Sequence, residues 1–503
     1  SNGDEYIREW FEVDFNNIGF NISSNHEAYV FNGKWFPYNK GGKYRKWYGN
    51  NSAVVDYYKN GEKYKDKTGF CFSNQSKYFL EGITWSKISS GHSSFRYNEK
   101  GYIFGDAGPA LQADDNLKYF MALLNSKISN TIQSFVNPTL NTTNETIDSI
   151  PVIIAENIKE KIVELVDANI RISEEDWNSF ETSWDFLRHP LVKGNNLLNV
   201  WNEYDQLTKT NFNQLKSNEE ELNEYFINLY GLEDELTKEV EDKYVSISLA
   251  DKERDVRSLI SYLIGVLMGR YSLVEEGLIY AGGEFDNTRY GKFELDSNGI
   301  IPIYSKLGME DNLTNKIIKL IKQIYGDDTY KENIDFIAES LGKRQNETSE
   351  ETLNRYLNND FYNDHIKIYQ KRPIYWMLSS GKDNGFKALI YLHRYNEDTL
   401  ARINSNYLLP ETTRLRIELN DLENGIKSSD AITQRRLEKE RDIVNKQYYE
   451  AVEYGLVLDH MANRYIKLDL DDGVKVNYAK FQNVEIVNER GSMIKKDLLI
   501  PIK

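Results

Sequence analysis

Two short stretches near the start of the chain concentrate side chains that suit contact with nucleic acid. The first spans residues 38–51 and contains KYRKWYGNN, and the second spans residues 85–97 and contains SKISSGHSSFR. Arg and Lys bind phosphates and guanine edges, and Asn forms paired hydrogen bonds with adenine. Both stretches also contain glycine, which lets a ligand approach the backbone closely.

This composition predicts a set of residues that contact double-stranded DNA. They are Lys43, Tyr44, Arg45, Lys46, Trp47, Asn50, Asn51, Lys87, Ser89, Ser90, His92 and Arg96. The alternative is that each stretch forms a twisted β-hairpin with a solvated edge. Composition alone leaves both interpretations open.

The charge of the chain is unevenly distributed, and this bears on any nucleic-acid partner. The whole chain of 503 residues has a formal net charge of -16, which by itself argues against binding phosphates. Residues 33–110, however, contain 13 Lys and Arg against six Asp and Glu, a net charge of +7, and the rest carries −23. The same segment holds 18 aromatic residues. Basic residues among aromatics favour nucleic-acid binding. A β-domain with an aromatic core and a solvated lysine rim is the alternative.

The elements that must position these residues follow from periodicity and turn signals. Residues 1–110 are predicted to be β-rich, because short aromatic and β-branched runs are separated by turns such as Asn32-Gly33 and Asn60-Gly61. With a predicted helix over 114–135, they make residues 4–152 a mixed, β-rich domain. Residues 153–271 are predicted to be a helical spacer or bundle, with a clear apolar stripe over 251–271. Residues 272–503 are predicted to be mixed α/β, with a helical hairpin over 411–455. The expected fold class is therefore α+β.

Other chemistry is not indicated. The chain has no phosphate-binding G-x-x-x-x-G-K-[ST] loop, no H-E-x-x-H zinc motif and no G-x-S-x-G nucleophile elbow. Its one Cys excludes an internal disulfide and suits a cytoplasmic location. No apolar run reaches the roughly 18 residues that span a bilayer, so no membrane partner is expected. We predict no catalytic residue, no metal and no cofactor in this chain. Residues 1–3 (SNG) look like the remnant of a cleaved tag.

Several segments resemble one protein family in the same order along the chain. They are KYRKWYGNN (43–51), EGITWSKISSGHSSFRY (81–97), NEYFINLYGL (223–232), RDVRSLISYLIGVLMGRY (254–271), NGIIPI (298–303), KRPIYWMLSSGKDNGFKALIYLHRY (371–395) and DLDDGVKVNYAKFQ (469–482). Together they resemble the large adenine-specific DNA methyltransferases of BREX phage-defence systems. The resemblance covers nearly the whole chain after its first three residues.

The resemblance implies which half of the enzyme binds the cofactor and which half recognises DNA. In this family an upstream half binds S-adenosylmethionine and carries an Asn-Pro-Pro-Tyr motif, and the enzyme methylates the N6 amine of adenine in a short non-palindromic site. The present chain lacks that half, so it is expected to be the C-terminal half, with residues 4–152 as a target-recognition domain and no methyl transfer of its own. The implied partners are double-stranded DNA and other BREX proteins.

Two other interpretations remain open from the sequence. The chain could instead be an acidic scaffold that docks other BREX components, because most of its surface charge would repel DNA. It could also be the recognition half of a restriction-and-modification fusion enzyme, whose nuclease motif would lie upstream.

Overall fold

The computed structural model describes residues 5–64, 67, 72–88, 91–113, 115–137, 141–291, 293, 295–487 and 491–502. Ser89, Ser90 and residues 1–3, on which predictions were made, lie outside these ranges. The chain forms two compact units. Unit 1 holds residues up to Phe11, Phe15–Pro190 and Trp201–Asp251, and unit 2 holds Glu12–Asp14, Leu191–Val200 and residues from Lys252 onward.

Unit 1 contains two small sheets among its described residues. Their strands are β1 Ile7–Glu9, β2 Trp35–Asn39, β3 Ala53–Asp56, β4 Gly82–Trp85, β5 Phe95–Asn98, β6 Ile103–Phe104 and β7 Ala110–Leu111. The first sheet has the order β1-β3-β2-β6, and the second has the order β5-β4-β7. All pairs are antiparallel except β2 with β6, in which Tyr38 lies opposite Ile103.

Aromatic side chains build the core of the first sheet. Phe36 of β2 meets Tyr57 edge to face at a ring distance of 5.9 Å, and it meets Phe79 at the same distance. All three rings are buried. Such edge-to-face pairs contribute about 0.5–1.5 kcal/mol each beyond the area they bury. Much of the aromatic excess of residues 33–110 therefore packs inside the unit.

Helices cover the second sheet of unit 1. They are α2 Leu117–Asn125, α3 Lys127–Val136, α4 Asn144–Asp148, α5 Lys159–Asn178 and most of α6 Leu197–Tyr230. Helix α1, Asn25–Val30, instead packs against the first sheet through Ala28. A second core joins Trp85 and Phe95 of the sheet to Leu123 of α2, Val166 of α5 and Phe226 of α6. This core fixes the β4–β5 pair against α5 and α6, which matters for the site described below.

Unit 2 is mainly helical, with a small sheet at its centre. Its helices are α7 Lys252–Met268, α8 Leu313–Tyr325, α9 Tyr330–Ser340, α10 Ser349–Asn359, α11 Phe361–Ile368, α12 Thr399–Ile403, α13 Leu409–Ser428, α14 Ala431–Ala462 and α15 Gly473–Ala479. Its strands are β8 Ile300–Pro302, β9 Tyr375–Ser379, β10 Lys387–Tyr391, β11 Val484–Val487 and β12 Met493–Lys496. The antiparallel sheet β8-β10-β9 is buried, and α13 packs along α14 as a hairpin. The predicted α+β class is confirmed.

Candidate nucleic-acid interface

The two stretches singled out in the sequence meet along one strand. The backbone N–H of Trp47 donates to the carbonyl of Phe95 at 2.9 Å, and the N–H of Tyr97 donates to the carbonyl of Trp47 at 2.7 Å. Trp47 therefore forms a single parallel bridge with Arg96 on the free edge of β5. Trp47 adopts a positive φ of 69°, a conformation that a bulky residue keeps only when its surroundings hold it.

Arg45 is tied to helix α5. Its guanidinium donates to the Asp176 carboxylate at 2.7 Å and to the Ser173 carbonyl at 3.0 Å. It lies 5.1 Å from the centre of the Trp177 ring, and its Nε donates to the carbonyl of Tyr48 at 2.7 Å. Only 12% of the Arg45 side chain is exposed. Its hydrogen bonds thus hold the loop on α5.

Lys46 and Trp47 share one carboxylate on helix α6. The Lys46 ammonium forms an ion pair with Glu219, and the indole Nε1 of Trp47 donates to Glu219 Oε1 at 2.7 Å. The Lys46 and Glu219 side chains are 6% and 3% exposed, and Trp47 is 1% exposed. The backbone N–H of Lys46 also donates to Ser246 Oγ at 2.9 Å. This cluster is part of the interior of unit 1.

Arg96 is a buried cation without a carboxylate partner among the described residues. Its Nη1 donates to the Arg45 carbonyl at 3.2 Å, and its Nη2 lies 3.4 Å from Ser86 Oγ. Its Nε has no hydrogen-bond partner within the described residues. Burial, and then repulsion from Arg45, lowers the pKa of Arg96 to about 10. The Arg96 side chain therefore stabilises the loop at Arg45 from the interior of unit 1.

Of the other predicted residues that the structure describes, all but the buried Asn51 lie nearer the surface. Lys43 is exposed, and its carbonyl accepts a hydrogen bond from the half-buried Asn50 at 2.9 Å. His92 is exposed and its ring stacks on Tyr244 at 4.3 Å, while the half-buried Tyr44 meets Tyr244 edge to face at 6.0 Å. Burial, followed by repulsion from nearby lysines, lowers the pKa of His92. Asn51 is buried.

Much of the positive charge of residues 33–110 is neutralised inside unit 1. Ion pairs join Lys34 and Lys63 to Asp56, Lys40 to Glu9, Lys67 to Glu5 and Lys87 to Asp106. Among the described residues of this segment, Lys43, Lys59, Lys77, Arg96 and Lys100 form no ion pair. The net charge of +7 thus overstates the charge that this segment presents to a partner.

A polar groove opens beside Lys87. Its volume is about 880 Å³, and three parts of the chain line it: residues 73–78, residues 104–112 and residues 142–145, with Lys87 between them. Exposed Asn74, Lys77 and Asn144 face it, and so do the carboxylates of Asp106 and Glu145. Amide and ammonium groups of this kind suit base edges and phosphates.

Sequence reasoning found Lys87 but missed the other polar residues of the groove. Asn74 precedes a single 3-10 turn that ends at Lys77, and Asn144 begins the short helix α4. Each lies in an ordinary polar loop sequence that carries no motif. Their convergence results from the pairing of β4 with β7 and from the contact of Thr142 with Lys87, whose carbonyl accepts the Thr142 N–H at 2.7 Å.

Within the described ranges, no group of three or more His, Cys, Asp or Glu side chains is arranged to hold a metal ion. No helix in the described part of the chain has the length and apolar character needed to cross a membrane.

Comparison with known proteins gives two relatives of the same kind. The chain is 39% identical over 497 residues to the adenine-specific methyltransferase PglX of Lacticaseibacillus casei (strain Zhang), a match covering 95% of this chain and 41% of that protein. It is 35% identical over 515 residues to the adenine-specific methyltransferase BrxX of Escherichia coli O9:H4 (strain HS), with the same two coverages. No family model matches the chain.

The two matches support a relationship between this chain and adenine-specific methyltransferases. The chain spans about two fifths of the length of the curated relatives it matches.

Proposed function

We propose that this chain is the DNA-recognition part of a site-specific adenine N6 DNA methyltransferase of a BREX phage-defence system, corresponding to the family's C-terminal half. The observation that carries the proposal is the identity of 39% and 35% to adenine-specific methyltransferases over 95% of the chain. Methyl transfer and S-adenosylmethionine binding are assigned to the part of the relatives that this chain does not match. The chain itself holds the target duplex and is not catalytic.

The polar groove is the surface that we assign to DNA. Lys77 forms no ion pair among the described residues, and the partner of Lys87 is Asp106, whose side chain is 88% exposed. An ion pair this exposed is worth about 0–1 kcal/mol, so a phosphate can replace the carboxylate at little cost. Asn74 and Asn144 then reach base edges. Asp106 and Glu145 repel phosphates, so the DNA backbone is expected to follow the lysine side of the groove.

The loop 43–51 takes a supporting part in this proposal. Lys43, Asn50 and His92 are accessible enough to touch DNA. Arg45 and Lys46 hold the loop on α5 and α6 through Asp176 and Glu219. Direct DNA contact by these buried cations, and by Ser89 and Ser90, remains a prediction from the sequence.

Salt dependence of DNA binding tests the proposal. The logarithm of the binding constant falls with the logarithm of salt concentration with a slope of about −0.9 per neutralised phosphate. Fluorescence anisotropy with a random-sequence duplex of about 30 base pairs is measured between roughly 50 and 200 mM salt. The double variant Lys77→Ala/Lys87→Ala should make the slope shallower by about two.

The control is Lys209→Ala, because Lys209 is an exposed lysine of α6 that does not line the groove. It should leave the slope unchanged. A slope near zero for the unmodified chain would refute DNA recognition. Equal slopes for the double variant and the unmodified chain would remove the groove from the DNA interface.

We also propose a second function for the α13–α14 hairpin, which is docking of another BREX protein. The hairpin leaves large apolar side chains in solvent: Ile417 is 56% exposed, Ile432 85%, Ile443 59% and Tyr449 63%. We infer that these side chains form part of one apolar patch, the kind of surface that marks protein interaction sites. In a pull-down with purified BREX proteins, Ile432→Asp/Ile443→Asp should abolish capture. Val476→Asp, at a 52% exposed position outside the hairpin, should not. Capture that survives the double variant would exclude the hairpin.

A further inference from the structure

A small cavity in unit 1 combines aromatic walls with carboxylates. It lies between the 3-10 turn Phe15–Asn17, the β5–β6 turn and the segment after α5, and its volume is about 110 Å³. None of its lining residues lines the polar groove. A volume of this size corresponds to about four water molecules in the liquid.

Four rings form a continuous wall of this cavity. The ring of Phe15 lies 5.1 Å from that of Phe20, Phe20 lies 5.3 Å from Trp184, and Trp184 lies 6.1 Å from Tyr102. Phe15, Phe20 and Trp184 are only half-buried, so part of each ring remains accessible. The faces of aromatic rings carry partial negative charge and attract cations, with Trp the strongest.

Carboxylates at the same place add full negative charge. Glu99 and Asp185 line the cavity, and neither forms an ion pair among the described residues. Glu174 on α5 lies close enough to these carboxylates to interact with them: burial, followed by repulsion from Glu99 and Asp185, raises its pKa. Burial, followed by repulsion from Glu99, likewise raises the pKa of Asp185. Lys100 also borders the cavity, but it leaves these carboxylates unpaired within the described ranges.

Tyr102 adds a hydroxyl to the cavity that no described side chain or backbone group uses. The residue is 8% exposed and lines the cavity, yet its hydroxyl makes no hydrogen bond among the described residues. The hydroxyl is not among the fully buried atoms that lack a partner, so it opens into the cavity and is available to hydrogen-bond what the cavity holds. A ligand with N–H groups, or one that carries water into the cavity, would satisfy it.

We propose that this cavity binds the head group of an organic cation, either an alkylated ammonium or a guanidinium. The ring wall accepts the face or the methyl groups of the cation, and Asp185 and Glu99 balance its charge. A bare metal ion fits poorly, because aromatic rings form one wall of the cavity and the described residues contain no metal-ligand cluster. The cation belongs either to a free small molecule or to an Arg side chain of a partner protein.

Binding of two probe cations tests this proposal. The purified chain is titrated with tetramethylammonium chloride and with N-acetyl-arginine amide at constant ionic strength, and binding is followed by saturation-transfer NMR. Saturable binding in the millimolar range is expected for at least one probe. Tighter binding of tetramethylammonium indicates a small alkylated ligand, and tighter binding of the arginine derivative indicates a protein side chain.

Two charge-removing variants distinguish binding in this cavity from nonspecific electrostatic attraction of the cation to the acidic chain. Asp185→Asn should weaken binding about fivefold or more, because the carboxylate borders the cavity. Glu160→Gln removes the same charge at an exposed position of α5 and should leave binding unchanged. Asp185 is itself exposed, so its variant is expected to fold. Absence of saturation for both probes up to about 100 mM, or equal weakening by the two variants, would overturn the proposal.

Discussion

Removing the charge of Glu219 should destabilise unit 1 strongly, because this carboxylate neutralises a buried lysine. Glu219→Gln keeps the shape of the side chain and an oxygen that accepts the Trp47 indole N–H. It leaves the Lys46 ammonium without its counter-charge at a position where the two side chains are 6% and 3% exposed. Breaking a buried ion pair by removing one partner costs about 3–5 kcal/mol of unfolding free energy. Lys46→Met should cost a similar amount, since it leaves the buried Glu219 carboxylate without a counter-charge.

The double variant Lys46→Met/Glu219→Gln should recover most of this loss. It removes both charges and leaves a methionine against a neutral amide that still accepts from Trp47. Replacing a buried pair by uncharged groups of similar size is often neutral or stabilising. We therefore expect the double variant to lie within about 1 kcal/mol of the unmodified chain. The two single variants are then strongly non-additive, as residues in direct contact are.

Urea unfolding followed by circular dichroism measures these effects. The matched control is Asp242→Asn, which breaks the pair between Lys216 of the same helix α6 and an Asp242 side chain that is 75% exposed. That change should cost no more than about 1 kcal/mol. A loss below about 1 kcal/mol for Glu219→Gln, or a double variant as unstable as the sum of the singles, would refute the structural role of this pair.

The same double variant also tests whether Lys46 contacts a DNA phosphate or only holds the loop. If Lys46 only holds the loop, Lys46→Met/Glu219→Gln should bind a DNA duplex with unchanged affinity and salt slope. If Lys46 contacts a phosphate, the slope should become shallower by about 0.9 even though the fold is intact. A charge reversal at Lys46 alone cannot separate these outcomes, because it also disrupts the buried pair.

Two further predictions concern unit 2. Burial, and then repulsion from Arg270, lowers the pKa of His365 and of His393 to about 3, well below the 6.5 of an exposed histidine. The unfolded chain therefore binds protons first, so stability is full above about pH 6.5 and falls as the pH drops toward 3. The free energy of unfolding should be about 2–3 kcal/mol smaller at pH 5.5 than at pH 7. An unfolding free energy that does not change over this range would contradict the prediction. Gly385→Ala should cost about 1–3 kcal/mol, because an added Cβ would lie 2.2 Å from the Gln447 carbonyl of α14. Gly308→Ala, where a Cβ meets nothing within 4 Å, is the control in the same urea titration, and equal stability of the two variants would refute the close packing.

The sequence predicted best what depends on local periodicity. The apolar stripe over 251–271 corresponds to α7, Lys252–Met268, because a helix must bury residues three and four positions apart. The α+β class followed from the same kind of reasoning and is confirmed. The division into three regions remains a prediction, and compactness alone groups the chain into two units.

The sequence did not predict which residues far apart in the chain form ion pairs. Arg45 and Lys46 have the composition of a DNA-binding motif, but their partners, Asp176 and Glu219, lie 131 and 173 residues further along the chain. A single sequence does not reveal which distant acid neutralises which base. The groove residues Asn74 and Asn144 were missed for the same reason, because only the folded sheet brings them to one place.

The most direct test of the central claim is the methylation pattern of a chimera. In the PglX relative from Lacticaseibacillus casei, the region that matches this chain is replaced by the chain itself, which is 39% identical to it over 497 residues. Sequencing that detects N6-methyladenine then reads the methylated sites in DNA from cells that express the chimera or the parent. If this chain recognises the target, the chimera methylates adenines in a sequence context different from that of the parent. Methylation that stays in the parent's own context would contradict the account.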